Sequence, residues 1–133
     1  MASTAAKIYG DLVSAMNTVL DKKLIFLGRP DTISSEMTKF ATIEIPATIT
    51  DVAYGKNKLM LNTTGLITLF VKSKSNGTLN VNAMSDLVDC VIDLFPINGQ
   101  YCAAARPTPF MKGDDGQGFN YTEIAFHIHT KKL

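Results

Sequence analysis

Apolar and polar residues alternate along this chain with two different periods, and the switches between them mark its elements. Residues 65–74, Gly-Leu-Ile-Thr-Leu-Phe-Val-Lys-Ser-Lys, are rich in β-branched and aromatic side chains and end on charge, which predicts a strand. Asn76-Gly77 follows as turn chemistry, because both residue types readily take the positive φ angles of tight turns. From Val81 to Phe95 the period lengthens. Val81, Met84, Val88, Val91 and Phe95 form one helical stripe, widened by Leu87 and Ile92. A strand that feeds at once into a helix with one apolar face predicts that the helix lies on that strand's sheet.

The N-terminal third follows the same logic. Ser3 or Thr4 can cap a helix running to about Asp21, with Ala5, Ile8, Leu12, Ala15 and Val19 on one stripe and Val13, Met16 and Leu20 beside it. Lys22 and Lys23 would suit its last turn, at the negative end of the helix dipole. Gly10 costs such a helix about 1 kcal/mol against alanine, so close packing or a kink is expected there. Residues 24–28 read as a short apolar strand stopped by Arg29-Pro30-Asp31, and 32–39 as a polar surface loop with room for one helical turn burying Ile33 and Met37. Residues 40–49 alternate, Ala41, Ile43, Ile45, Ala47 and Ile49 against Thr42, Glu44, Thr48 and Thr50, which predicts a half-buried strand with one solvated face. Pro46 falls on its polar side and implies an edge or a bulge. Residues 51–64 are longer than a hairpin turn needs. They read either as a projecting arm whose apolar Leu59-Met60-Leu61 touches something, or as a loop folded over its own core.

After the second helix, Pro96 and Gly99 supply the stop. Residues 100–105 predict a strand in which Ala103, Ala104 and Ala105 permit close approach of a neighbour. Pro107 and Pro109 make 106–110 extended and rigid, and the glycines of 113–118 make a turn. Residues 119–130 alternate again, with Ile124, Phe126 and Ile128 opposite Glu123, His127 and His129. The order helix, strands, helix, strands predicts one α+β domain over residues 1–133, a mostly antiparallel sheet with two helices packed on it.

Composition narrows the class without naming a function. A chain of 133 residues can bury roughly two-thirds of its unfolded surface in one domain. With 46% hydrophobic and 19% charged residues it is not a disordered chain. A formal charge of +1, with no dense basic run, offers no electrostatic argument for nucleic-acid binding. Cys90 and Cys102 are too few for a disulfide scaffold and read as reduced small hydrophobes. The N-terminal stretch lacks the apolar core of a signal peptide, and no apolar run approaches a membrane span. The sequons at Asn62, Asn76 and Asn120 are therefore expected to be unused, in a soluble product made inside a cell.

Two constellations are candidates for chemistry. His127 and His129, two apart on a strand, share a face, but zinc requires three or four protein ligands and only Glu123 stands nearby. Solvated or subunit-contact histidines are the simpler reading. Asp86, Asp89 and Asp93 line the helix opposite its apolar stripe, as a solvated face does, or as a surface meeting a basic neighbour. No serine–histidine–acid motif, phosphate-binding glycine loop or zinc spacing is present, so neither catalysis nor a cofactor is expected.

The succession of an N-terminal helix, a short strand ending near Arg29-Pro30, an alternating strand with Pro46, the strand and Asn-Gly turn, the second helix and the hairpin through 113–118 resembles the small tail-completion (tail-terminator) proteins of tailed bacteriophages. More broadly, it is similar to the ring-forming neck proteins. That resemblance implies a structural virion protein of the head–tail junction, assembled in the host cytoplasm. It would self-associate into a ring, often hexameric, that caps the tail tube and joins it to the neck. DNA would pass through its channel without specific binding, no membrane would be involved and no reaction catalysed. On this reading Lys72, Lys74, Asp86, Asp89, Asp93, His127 and His129 are the subunit-interface candidates. Lys56, Leu59 and Met60 in the arm, and Asp114 and Asp115 in the turn, are the axial-contact candidates. A stopper or minor capsid protein is the alternative within virions, and a small ligand-binding α+β domain with a concave polar pocket the alternative outside them.

Overall fold

Two long strands, β4 (Met60–Lys72) and β7 (Phe119–Thr130), pair antiparallel from Asn62↔His129 to Lys72↔Phe119 and form the middle of the sheet. The computed structural model describes residues 3–30, 33, 36–45, 50–53 and 60–130. Around that pair the sheet runs β1 (Ile25–Phe26), β2 (Lys39–Glu44), β4, β7, β6 (Cys102–Asp114), β5 (Ile97–Asn98), while β3 (Thr50–Ala53) pairs with the start of β4. Every pairing is antiparallel except β1 with β2. The architecture is α+β.

Both helices, α1 (Ser3–Met16) and α2 (Val81–Ile92), lie on one face. Ile8, Leu12 and Met16 of α1 join Met84, Leu87 and Val91 of α2 over Ala41, Ile43, Ile67, Leu69, Ile124, Phe126 and Ile128 in a single buried core. Alternation explains the sheet's share, since odd positions of β2 and β4 and even positions of β7 face the same way. Gly65 sits directly opposite Phe126, and a Cβ there would fall 2.5 Å from the ring tip, so the glycine makes room for the aromatic.

Several local expectations needed correction. The first helix ends at Met16, short of Asp21. The Thr18 hydroxyl donates to the Ala15 carbonyl at 2.8 Å, and the Thr18 and Val19 amides bond three residues back, which tightens the chain out of the α-helical ladder. Asp21 instead caps a 3-10 turn, Lys22–Leu24, accepting from the Lys23 amide at 3.1 Å, so the two lysines belong to that turn. Nothing in the described structure packs within 4 Å of a Cβ at Gly10. The second helix is capped by Asn80 and stops at Ile92, and Leu94 and Phe95 continue as a tightened turn. Val81, expected on its apolar stripe, is 50% exposed.

The outer face of β2 was read as solvated, yet Phe40 and Thr42 are both buried. A second cluster forms there: Phe40, Phe70 and Phe119, with Leu24, Phe26, Ile33, Met37 and Tyr121 packed against them. Phe40 stacks on Phe70 at 4.4 Å between ring centres and meets Phe119 edge-on at 5.3 Å. Among the described residues, the sheet is therefore covered by helices on one face and, at one end, by an aromatic patch on the other. Both cysteines are free, Cys102 buried and Cys90 exposed. Strand β4 begins at Met60, so part of the expected arm is sheet. Pro46 lies outside the described residues.

Candidate interaction surfaces

The sheet face away from the helices continues beyond the aromatic patch. Thr68 stands opposite Glu123, Leu66 opposite Ala125, Thr64 opposite His127 and Asn62 opposite His129 along β4 and β7. Near the patch these strands floor a shallow hollow of about 380 Å³ lined by Thr42, Glu44, Thr68, Tyr121 and Glu123, with Arg29 and Asp115 at its rim. His127 and His129 are exposed at the far end, beside Ala105 and Ala103 of β6. Among the described residues no group of three His, Cys, Asp or Glu side chains is placed to hold a metal ion.

Arg29 closes the rim. Its Nη1 donates to Asp115 Oδ2 at 2.9 Å and its Nη2 to Gln117 Oε1, while the guanidinium lies 4.8 Å from the centre of the Phe70 ring. Asp115 also accepts from the Gln117 amide at 2.7 Å and the Phe119 amide at 3.1 Å through its other oxygen. With only 5% of its side chain exposed, Asp115 organises the β6–β7 turn from within. Asp114, its neighbour, is exposed and accepts from the Gly116 amide at 3.2 Å. The two axial-contact candidates in the turn therefore differ in kind, one inward and one outward. Lys56 and Leu59 lie outside the described residues, and Met60 is placed only as the first residue of β4.

On the helix-covered side a groove of about 580 Å³ runs between α2 and the ends of β2 and β4. Val19, Val71, Ala83 and Leu87 supply its apolar wall, and Lys39, Lys72, Asp86 and Cys90 its polar rim. Of the interface candidates, Lys72 and Asp86 both contribute to the lining of this groove. Lys74 stands apart in the turn, its amide donating to the Thr78 carbonyl at 3.0 Å. Asp89 is exposed farther along α2 and Asp93 just beyond its last residue. The histidines are on the opposite face of the sheet, so the candidates form two surfaces rather than one.

Two features lay beyond sequence reasoning. Arg29 offered no sign of its partners, which are 86 and 88 positions away. The second is the outer part of β6: Phe110 and Met111 are 53% and 60% exposed there, on a segment whose prolines at 107 and 109 predicted only an extended, rigid chain. Arg106 has φ 60°, where the proline after it was expected to hold it extended. The register between β6 and β7 shifts between Ala105 and Thr108, and Arg106 occupies that bulge.

No protein-family model matches this chain, and no curated protein matches it. Solved structures do. One chain, titled by a sequence identifier alone, superposes with a TM-score of 0.56 at 10% identity, covering 97% of this chain and 94% of the other. A chain from the virion of a native gene transfer agent (GTA) particle superposes with a TM-score of 0.55 at 11% identity, covering 94% of this chain and 92% of the other. At such identities the likeness is one of fold, and it extends over nearly the whole of each chain.

Proposed function

We propose that this chain is a structural virion protein, and within the virion a ring-forming component of the head–tail junction that ends the tail tube and connects it to the neck. The observation that carries the virion reading is the end-to-end fold likeness to a chain of a gene transfer agent virion. The junction reading adds the order of elements, which resembles tail-completion proteins. The surfaces suit such a role: an apolar edge on β6, a groove beside α2, and a turn stiffened by Arg29 and Asp115. Function would then reside in complementary interfaces around a channel, with no reaction catalysed and DNA passing without specific contacts.

The test is mass measurement of the purified full chain in solution, with imaging, alone and after addition of neck and tail-tube proteins. The expected result is a closed oligomer with a central hole that seats on one end of the tube. A chain that stays monomeric through all of these mixtures overturns the ring. The neighbour's title names a particle and no position in it, so a stopper or minor capsid protein is the second reading. A closed oligomer that binds the head and ignores tail tubes would select it.

A further inference from the structure

The outer edge of β6 and the groove beside α2 complement each other. Strand β5 covers only Ala103 and Ala104, so among the described residues 106–114 has β7 on one side and no strand on the other. An open edge normally invites another strand, but Pro107 and Pro109 lack the N–H groups such pairing needs. The edge is thus poor at backbone pairing and offers side chains instead. Arg106 is the one non-glycine residue with positive φ among those described, a conformation seldom adopted without a surrounding reason. Phe110 and Met111, on successive strand positions, point to opposite faces and together make an apolar prow, followed by Lys112 and Asp114. Lys112 reaches Glu123 at 3.6 Å with both side chains partly exposed, a pairing worth little in water and readily exchanged.

The groove has the matching character. Val19, Val71 and Leu87 form an apolar wall, and its rim carries one acid, Asp86, and two bases, Lys39 and Lys72. Asp86 makes no ion pair with the described residues. We propose that residues 106–114 of one copy dock edge-on in the α2 groove of a second copy, Phe110 against the apolar wall and Met111 toward the rim that carries Cys90, with Lys112 toward Asp86 and Asp114 toward Lys39. Prow and groove are different surfaces, so each copy gives one and receives one. Repetition of that contact closes a ring or extends a filament. The inference rests on the self-association proposed above and names the two surfaces that make it.

Cys90 supplies the test, because it is exposed on the groove rim while Cys102 is buried. In the full-length Met111→Cys protein, mild oxidation is expected to give thiol-reversible covalent dimers and higher multimers, all abolished by adding Cys90→Ser. Cross-linking that survives Cys90→Ser would mean that Met111 meets itself across a symmetric contact, and overturns the docking. Wild-type rings with no cross-link to Cys90 overturn the docking and leave the ring reading standing. Cys90-dependent cross-links within open chains support the docking and sink the ring. A wild-type chain that never associates overturns both. In parallel, Phe110→Glu, a surface change, is expected to weaken association about 30-fold or more with an unchanged circular dichroism spectrum. Mixing it with an Asp86→Arg/Cys90→Arg protein should yield one-to-one dimers and nothing larger, since each partner keeps one working surface. Unaltered rings from either variant alone would overturn the assignment.

Discussion

The Arg29 guanidinium meets Asp115, 86 positions away, at 2.9 Å, and lies 4.8 Å over the ring of Phe70. This one side chain ties the segment after β1 to the β6–β7 turn and lids the aromatic patch. Charge-assisted bonds of this kind contribute about 1.5–3 kcal/mol when sheltered. The Arg29 side chain is 30% exposed, so solvent screening reduces that figure. Arg29→Ala is expected to cost about 1–2 kcal/mol in urea unfolding. Arg29→Lys should recover less than half, since an ammonium cannot serve Asp115 and Gln117 with a planar fork or stack on Phe70. Equal stability of the Lys variant and wild type would show that charge alone matters.

Gly65 tests the packing of the central pair. A Cβ there would lie 2.5 Å and 2.7 Å from Phe126 ring atoms and 2.9 Å from Ile128 Cδ1. Overpacking a dense core costs about 1–3 kcal/mol. Gly65→Ala should therefore destabilise by that amount, although alanine lowers the entropy of the unfolded chain. A stabilised variant would mean that the Phe126 ring moves aside freely.

Asp11 joins α1 to the start of β6. Its Oδ2 accepts from the Tyr101 amide at 2.7 Å and the Cys102 amide at 3.0 Å, and Gly99 packs so closely that any side chain there would collide with the carboxylate. Asp11→Ala leaves two partly buried amides without this acceptor and is expected to cost about 2 kcal/mol. Asp11→Asn retains an acceptor oxygen and should cost about half as much. Amide hydrogen exchange at Tyr101 and Cys102 gives the direct readout. Protection unchanged in Asp11→Ala would refute the role.

Thr122 makes the opposite prediction. Its hydroxyl oxygen is buried and has no hydrogen-bond partner among the described residues. Valine has the same shape without the polar atom and favours strands. Thr122→Val should be neutral or stabilise by up to about 1 kcal/mol in thermal or chemical unfolding. A loss greater than 1 kcal/mol would reveal a bond made by that hydroxyl.

Local periodicity was enough to read the buried faces of α2 and β7. Met84, Leu87 and Val91 recur at helical spacing and Ile124, Phe126 and Ile128 at strand spacing, because each element buries one face and the chain records that face within a few residues. The same signal placed both helices on a mostly antiparallel sheet. It overran the end of α1, where a hydroxyl bond to Ala15 outweighed an apolar stripe continuing through Val19 and Leu20. Of the candidate surfaces, the exposed acids of α2 and the histidines of β7 were legible as outward faces, but which of them share a surface was not. Only the fold gives Lys72 and Asp86 a share in lining one groove, and it leaves the histidines on the face of the sheet away from the helices. The aromatic patch over Phe40 and the Arg29–Asp115 contact likewise arise from strand order, which aligns distant residues by backbone register. A local pattern states which side of an element is buried. What covers it, and what the remaining side faces, is decided only when the strands take their places.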